Sequence, residues 1–474
     1  MQKADYLPLL FRGLDSRGKE QVSLACNYAQ QYLSNIHRRS GEDYALHGCE
    51  VAVTLRELTS DPSMLAVAAL HDLLVHPDGD ALLASSSLNE SEKELVRRMH
   101  PLRRLHIDAN TEDLDLVINA FTEDARLLPL RMAHRLNDVR HLSRFTKTLK
   151  RQIATETLHM YTAIASRLGM HSWRYEMEDA CFRLLQPSIV SDLEKKFASH
   201  AVLDAACLQH AKRFLAKKLR QENIETSIDG RIKQLYSTYR KMVIKKRRFE
   251  ELTDRLALRI IVPTLKDCYH TLGIVHASFH PIPGKLKDYI GAPKENGYRS
   301  IHTVVYPLAG VTEQSIEIQI RTAQMNDECE YGIAKHGEYK SAVYALHSQP
   351  SRVHLFRNLQ SLREEARSPK QFETALRTYF NEDHIVLFDN KNSLYHLKQP
   401  VTALDFACHV YGRRCRRLQS THVNGRERPI DTPLRDGDTL QVRFSKDERI
   451  QRTWIDGCRH TSSKKLLRKL IHDA

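Results

Sequence analysis

The stretch from Ile282 to Tyr306, IPGKLKDYIGAPKENGYRSIHTVVY, gathers side chains suited to phosphate. Lys285, Lys287, Lys294, Arg299 and His302 surround Asn296, Gly297 and Tyr298, ahead of a β-rich run. Cations bind phosphate as point charges or forks, glycine admits close backbone approach, and a tyrosine face can stack on a base. The composition is that of a nucleotide-handling segment, although solvated surface is the plainer reading of any basic loop taken alone. Two carboxylates sharpen it. Asp254 stands at the head of LTDRLALRIIV, which reads as a strand, and Glu317 lies in SIEIQIRT. Alternation there puts Glu317, Gln319 and Arg321 on one face and Ile316, Ile318 and Ile320 on the other. A half-buried strand would merely solvate its polar face. Two carboxylates on neighbouring strands among many cations instead predict a magnesium site in a phosphate pocket, because Mg²⁺ is held by one or two carboxylates plus substrate phosphates.

The elements that must position these groups are legible on either side. IETSIDGRIKQLYSTYRKMVIKKRRF predicts a short strand, a turn at Asp229-Gly230 and a basic amphipathic helix, with Arg231, Lys233, Arg240 and Lys241 at its start and along it. From Met1 to about Gly169 apolar residues recur at spacings of three and four, as in DPSMLAVAALHDLLVH, which predicts an all-helical domain. WRYEMEDACFRLLQPSIVSDLEKKF then reads as helix, proline break, helix, and AACLQHAKRFLAKKLRQENI as a further, solvated linker helix.

The helical part carries a second constellation: Arg39, Ser40, Gly41, Glu42, Asp43, Tyr44 and His47, then His71-Asp72, then RMAHRLNDVR at 131–140. A lone helical histidine is more often structural than a ligand. A distant histidine followed by a His-Asp pair has the logic of a metal site.

Composition bounds the class. A chain of 474 residues predicts about three domains. A hydrophobic share of 41% and a mean hydropathy of -0.48 fit a soluble globular protein. There is no apolar run near the roughly 18 residues that span a bilayer and no secretory leader pattern at the start. Nine scattered cysteines without a C-x-x-C pair read as free thiols of a cytoplasmic protein. A net charge of +14 favours polyanionic partners, nucleotides or RNA.

Taken in order, GRIKQLYSTYRKM, DRLALRIIV, LGIVHASFHPIPGKLKDYIGAPKENGYRSIHTVV, EIQIRT and EYGIAKHGEYK resemble the (p)ppGpp synthetase domain of the RelA/SpoT family over roughly residues 220–342. The resemblance implies transfer of the β,γ-pyrophosphate of ATP to the 3′-hydroxyl of GDP or GTP. It implies Mg²⁺ on Asp254 and Glu317, with Glu317 also accepting the hydroxyl proton. Arg231 would lie against adenine and Lys233 and Lys241 near the ATP phosphates. Tyr298 would stack on guanine beside Asn296 and Lys294, and His302, Gln319 and Lys287 would complete the polar shell. KLKD, Lys285 to Asp288, is similar to the basic form of a family segment that is acidic in synthetase-only members. It leaves GDP versus GTP preference open. The closing family segment appears as AKHGEYK, without its tryptophan.

The helical constellation is similar to the family's HD hydrolase domain, in which two histidines and two aspartates hold manganese. Arg39, His47, His71 and Asp72 fit. The Glu-Asp pair that serves water attack is replaced by Val75 and His76, the last metal aspartate by His134, and the His-Asn pair by Asn137-Asp138. Valine can neither accept a proton nor orient water, so hydrolysis is not expected and a regulatory scaffold is. Whether Mn²⁺ still binds is left open by the extra histidine.

HIVLFDNKNSLYHLKQPVTALDFACHVYG and HVNGRERPIDTPLRDGDTLQVRF predict a β-grasp module with Asn-Gly and Asp-Gly turns. They resemble the family's TGS domain, which implies contact with tRNA and the ribosome. Arg413, Arg414, Arg416 and Arg417 would suit phosphates, and His409 and His422 compete as the tRNA-contacting histidine. The expected architecture is therefore multidomain α+β. A degenerate HD-type helical domain occupies 1–175, a helical linker 176–219 and the mixed α/β, nucleotidyltransferase-like synthetase domain with a central sheet 220–342. A helical connector spans 343–382, the TGS domain 383–445 and a basic C-terminal segment 446–474. The family resemblance implies further modules beyond Ala474, and the sequence leaves open whether the chain is naturally short. Two alternatives stand beside a synthetase. One is an enzyme that also hydrolyses (p)ppGpp. The other is a catalytically silent nucleotide sensor or tRNA/ribosome adaptor, against which the retained metal carboxylates speak.

Overall fold

The computed structural model describes residues 3–102, 124, 126–246, 248–252, 254–294, 298–331, 384–390, 393–435 and 437–472. Asn296, the AKHGEYK segment and the expected connector over 343–382 lie outside the described residues. The chain forms two compact units, Met1–Phe380 and Asn381–Ala474.

The first unit opens with helices packed on one apolar core. Three of them carry the histidine constellation: α1 (Tyr44–Arg56), α2 (Pro62–Leu70) and α3 (Leu127–Arg140). Side-chain caps fix where the first two begin. Asp43 accepts the Leu46 N–H at 2.6 Å, and Asp61 accepts that of Ser63 at 3.0 Å ahead of Pro62. Gly48 of α1 is required by packing, since a Cβ there would meet the Ala69 carbonyl oxygen of α2 at 2.3 Å. The two helices thus approach closely enough to bring His47 to His71.

Two helices follow, α4 (His171–Leu185) and α5 (Pro187–Gln221), with the expected break at Pro187. The expected separate linker helix does not exist: α5 runs unbroken for 35 residues. Nor is it a solvated spacer. Cys207, Ala211, Leu215 and Leu219 are buried in the core of the following sheet, and Asp204, 0% exposed, pairs with Arg255 at 2.9 Å. A small or apolar residue every third or fourth position outweighed the cations on the opposite face.

That sheet has the order β1-β2-β5-β4-β3, built from Ser227–Ile232, Leu256–Val262, Lys287–Asp288, Ile301–Val305 and Ile316–Thr322 in sequence order. The β2–β5 pair is parallel and its other neighbours antiparallel. The helices α6 (Leu235–Lys245), α7 (Leu265–Ser278) and α8 (Ala323–Tyr331) complete it. The predicted turn at Asp229-Gly230 is a correction. Both residues lie inside β1, and Gly230 is there because Leu208 of α5 packs where a side chain would stand, 3.3 Å from an added Cβ. Arg231 consequently sits on β1, and Lys233 lies between strand and helix, where its N–H bonds the Arg255 carbonyl at 2.9 Å. Neither is on the helix.

In the second unit the sheet order is β7-β6-β10-β8-β9, with β7 at Leu394–Lys398 and with β6 (His384–Asp389) and β10 (Thr439–Phe444) parallel. α9 (Ala403–Tyr411) starts at a Thr402/Asp405 capping box and covers the sheet with Phe406. Asn424 and Gly425 both take positive φ between β8 (Leu418–Val423) and β9 (Arg426–Arg428), as an Asn-Gly hairpin requires. The basic end is not loose: Leu467 and Leu470 of Thr461–His472 are buried against Leu404 and Leu418. Among the described residues no helix is long and apolar enough to cross a membrane.

Candidate active site

Glu317 lies on β5 opposite Ala257 of β2 and Val304 of β4. Its Oε1 accepts from His302 Nδ1 at 3.2 Å and its Oε2 from Gln319 Nε2 at 3.1 Å. On the far side of the imidazole, Tyr298 Oη is 2.5 Å from His302 Nε2. Burial alone would raise the Glu317 carboxyl. The His302 hydrogen bond and the charges of Lys233 and Lys241 override it and lower the group to about 2. Asp254 shares those lysines: Lys233 Nζ reaches its Oδ2 at 2.9 Å, and Lys241 makes a second, shorter contact with the same oxygen. The two carboxylates are therefore held among the same cations, one just ahead of β2 and one on β5. The polar face of β5 is not solvated as a half-buried strand would allow, since Gln319 is 9% and Arg321 1% exposed.

The residues expected to line the guanine nucleotide sit around Tyr298. Lys294 Nζ lies 5.4 Å from its ring centroid and 4.6 Å from that of Tyr289. The Tyr298 ring meets Tyr289, His302 and His171 edge-on at 5.9, 5.5 and 5.6 Å. The ring is half-buried among these neighbours, and burial pushes its hydroxyl pKa up. Lys287 is exposed on β3 directly opposite His302, and Lys285 is half-buried in the preceding loop. Asp288 of the KLKD segment is occupied in structure, accepting from the Ile290 and Gly291 N–H groups and from Tyr269 Oη. Arg299, conspicuous in the sequence, pairs with Glu328 at 2.7 Å. Arg231 stacks over Tyr175 of α4 at 5.4 Å. The sequence reading passed over Tyr175, His171, Tyr289 and the depth of Arg321. Nothing in local pattern marks a residue that reaches the sheet from another domain.

In the helical part, His47, His71, Asp72 and His134 bring ligand atoms within 4.8 Å of one another. All four are buried, at 0, 0, 1 and 3% exposure. Burial holds His47 and His134 well below the ordinary histidine range, so both imidazoles are neutral, the form that ligates metal. His71 Nδ1 bonds the Ala68 carbonyl at 2.6 Å, and Arg131 Nη1 donates to His134 Nδ1 at 2.9 Å with Asp138 Oδ2 3.4 Å from the same nitrogen, outer contacts that orient the rings. Three imidazoles and one carboxylate are a reasonable donor set for a divalent transition ion. Beside the cluster is a cavity of about 560 Å³ lined by Arg38, Arg39, Val75, Arg131, Arg135 and Asp138, among others. Val75 adds an apolar side chain to its lining. Arg39 is exposed at its rim. Its neighbour Arg38, which the sequence reading did not single out, bonds His47 Nδ1 at 3.0 Å and pairs with Glu42 and Asp138.

In the second unit, Arg413 and Arg417 are exposed, Arg414 stacks on Phe444 at 4.5 Å and Arg416 pairs with Glu448 at 3.0 Å. His409 is exposed on α9 and His422 half-buried on β8.

Three family models match this chain: an HD domain over residues 25–171, a region found in RelA / SpoT proteins over 230–344 and a TGS domain over 384–443. Over 438 residues the chain is 32% identical to a probable guanosine-3′,5′-bis(diphosphate) 3′-pyrophosphohydrolase of Synechocystis, covering 90% of this chain and 57% of that protein. It is 31% identical to a GTP pyrophosphokinase rsh of Brucella ovis, covering 90% and 58%. A likeness to the small alarmone synthetase 1 of Bacillus subtilis covers 36% of this chain and 97% of that one, at 26% identity and a TM-score of 0.26. The chain spans less than two thirds of the length of these two curated relatives.

Proposed function

Because the chain belongs to the RelA/SpoT family, we propose that its central sheet is a (p)ppGpp synthetase, moving the β,γ-pyrophosphoryl group of ATP to the 3′-hydroxyl of GDP or GTP and releasing AMP. The observation that carries this reading is the joining, at Glu317, of the Tyr298–His302 chain with the lysines that also hold Asp254. Asp254 and Glu317 would hold Mg²⁺, which when bound neutralises phosphate charge and favours in-line transfer. Lys233 and Lys241 turn from Asp254 to the ATP phosphates, and Arg231 packs against adenine. Tyr298 takes the guanine, flanked by Lys294 and Asn296, with Lys285 and Lys287 at the mouth. His302 and Gln319 each fix one oxygen of Glu317, which takes the proton of the attacking hydroxyl. Positioning and charge neutralisation supply most of what such a transfer needs from a protein.

The helical domain is read as a hydrolase remnant. His47, His71, Asp72 and His134 would hold a divalent ion, Mn²⁺ or a similar one, while Val75 leaves no acid to direct water. The name of the Synechocystis relative favours the competing reading, hydrolysis of (p)ppGpp. A helical domain, a synthetase domain joined by the α5 residues that pack into its core, and a TGS domain that includes the C-terminal helix are kept as the domain division, and a cytoplasmic location suits the proposed substrates. The TGS domain, with Arg413 and Arg417 exposed, suits tRNA or ribosomal phosphate.

The test is separation of products from the purified chain with Mg²⁺, γ-labelled ATP and GDP or GTP, beside an arm with ppGpp and Mn²⁺. Labelled (p)ppGpp in the first arm and no pyrophosphate in the second is the expected result. Pyrophosphate in the second would restore hydrolysis. No synthesis even with ribosomes and deacylated tRNA would leave a nucleotide-binding regulator.

A further inference from the structure

The first residue of α4 belongs by sequence to the helical domain but points at the sheet. His171 follows Gly169, whose φ of 72° turns the chain, and its ring meets that of Tyr298 edge-on at 5.6 Å. Both of its ring nitrogens are buried without a hydrogen-bond partner among the described residues. Buried polar atoms are nearly always paired, so two on one ring demand an explanation. A second side chain makes the same demand. Arg321 is 1% exposed, and its Nε and Nη1 also have no hydrogen-bond partner among the described residues, while the guanidinium interacts with Cys329. Its charge, with those of Arg174, Lys294 and Arg231, acts on the His171 ring, which burial and these cations push down to about 3. Of these cations, Arg174 is paired with Glu178 at 2.8 Å. The N-terminus of a 15-residue helix adds partial positive charge at the same point. Neutral donors and cations turned inward together call for an anion.

We propose that His171 and Arg321 form an anion niche beside Tyr298 that takes a phosphoryl group of the guanine nucleotide, so that the helical domain supplies part of the synthetase's substrate site. The inference rests on the synthetase reading only for the identity of the nucleotide. A neutral imidazole donates one N–H to a phosphate oxygen, and the guanidinium donates the charge-assisted bonds. α4 is anchored to do this: Asp179 Oδ1 accepts the Tyr236 N–H of α6 at 3.0 Å, and Phe182 stacks on Tyr239 at 4.9 Å.

The experiment is calorimetric titration of the full chain with GDP, guanosine and inorganic pyrophosphate, for the wild type, His171→Ala, His171→Gln and Arg321→Lys. His171→Ala is expected to weaken GDP and pyrophosphate about tenfold, the weight of one hydrogen bond to a charged group, and to leave guanosine unchanged. His171→Gln, which keeps an N–H donor, restores most of the loss. In steady state KM for GDP rises by more than kcat falls. Arg321→Lys, which keeps the charge without the fork, checks the second wall. Equal weakening of GDP and guanosine would reduce His171 to a packing contact, and tighter binding of both would make it a plug. Either result, or no change in GDP binding, overturns the niche. A wild-type chain that makes no (p)ppGpp but binds pyrophosphate through His171 would overturn the synthetase reading and leave the niche standing.

Discussion

Tyr298 and Glu317 are joined through one imidazole: His302 lies 2.5 Å from the tyrosine oxygen at Nε2 and 3.2 Å from the carboxylate at Nδ1. An ionised carboxylate only accepts, so Nδ1 carries the hydrogen of that bond. The tyrosine proposed to take the base and the carboxylate proposed to take the hydroxyl proton are thereby held in one register. Replacing His302 by Ala should lower kcat for synthesis about a hundredfold through lost positioning, with the circular dichroism spectrum unchanged. An undiminished kcat would show that the register is not used.

Glu317→Gln keeps the shape of the side chain and removes its charge. Synthesis should fall about a thousandfold, the order found when a group stabilising transition-state charge is lost. Product separation with labelled ATP reads it directly. Persistent synthesis would remove Glu317 from the mechanism.

The histidine cluster predicts metal without hydrolysis. Chain purified in the presence of Mn²⁺ or Zn²⁺ and then dialysed should retain about one ion by mass spectrometry, since the donors converge and are buried. His134→Ala should lose the ion and lower the melting temperature, because metal bound only to the folded state stabilises it. An ion content unaffected by His134→Ala would place the metal elsewhere.

Asp204 and Arg255 form a buried pair between α5 and the head of β2. Asp204→Ala should destabilise this unit by about 3–5 kcal/mol, because the guanidinium is left buried without its partner. Asp204→Leu with Arg255→Met should lose less. Urea unfolding followed at the sheet measures both, and equal losses would contradict the pairing argument.

His171 gives a pH prediction whose sign follows from its depressed folded pKa of about 3, set by burial first and then by Arg174, Lys294, Arg321 and Arg231. The unfolded value is near 6.5. Between the two the unfolded chain binds about one more proton at this site than the folded chain, so its contribution to stability is lost as pH falls from about 6.5 toward 3. His171→Gln should flatten that part of the stability profile. A profile identical to the wild type would mean the ring titrates normally.

The sequence by itself determined the strand that follows Asp254 and the strand that carries Glu317, the alternation of β5, the cap at Thr402 and the Asn-Gly hairpin of the second unit. Each follows from residues adjacent along the chain, where period, cap and turn chemistry act locally. That Val75 can neither accept a proton nor orient water is likewise a matter of identity alone. Only the tertiary structure decided that Gly230 is a packing glycine, that α5 belongs to the core of the sheet, and that Arg38 reaches His47 where the motif pointed to Arg39. It alone brought His171 from the helical domain to Tyr298 and buried Arg321 beneath a face that alternation would leave to solvent. The physical reason is the same in each case. These outcomes depend on which distant surface arrives against a residue, and a side chain's own neighbours in sequence carry no record of that.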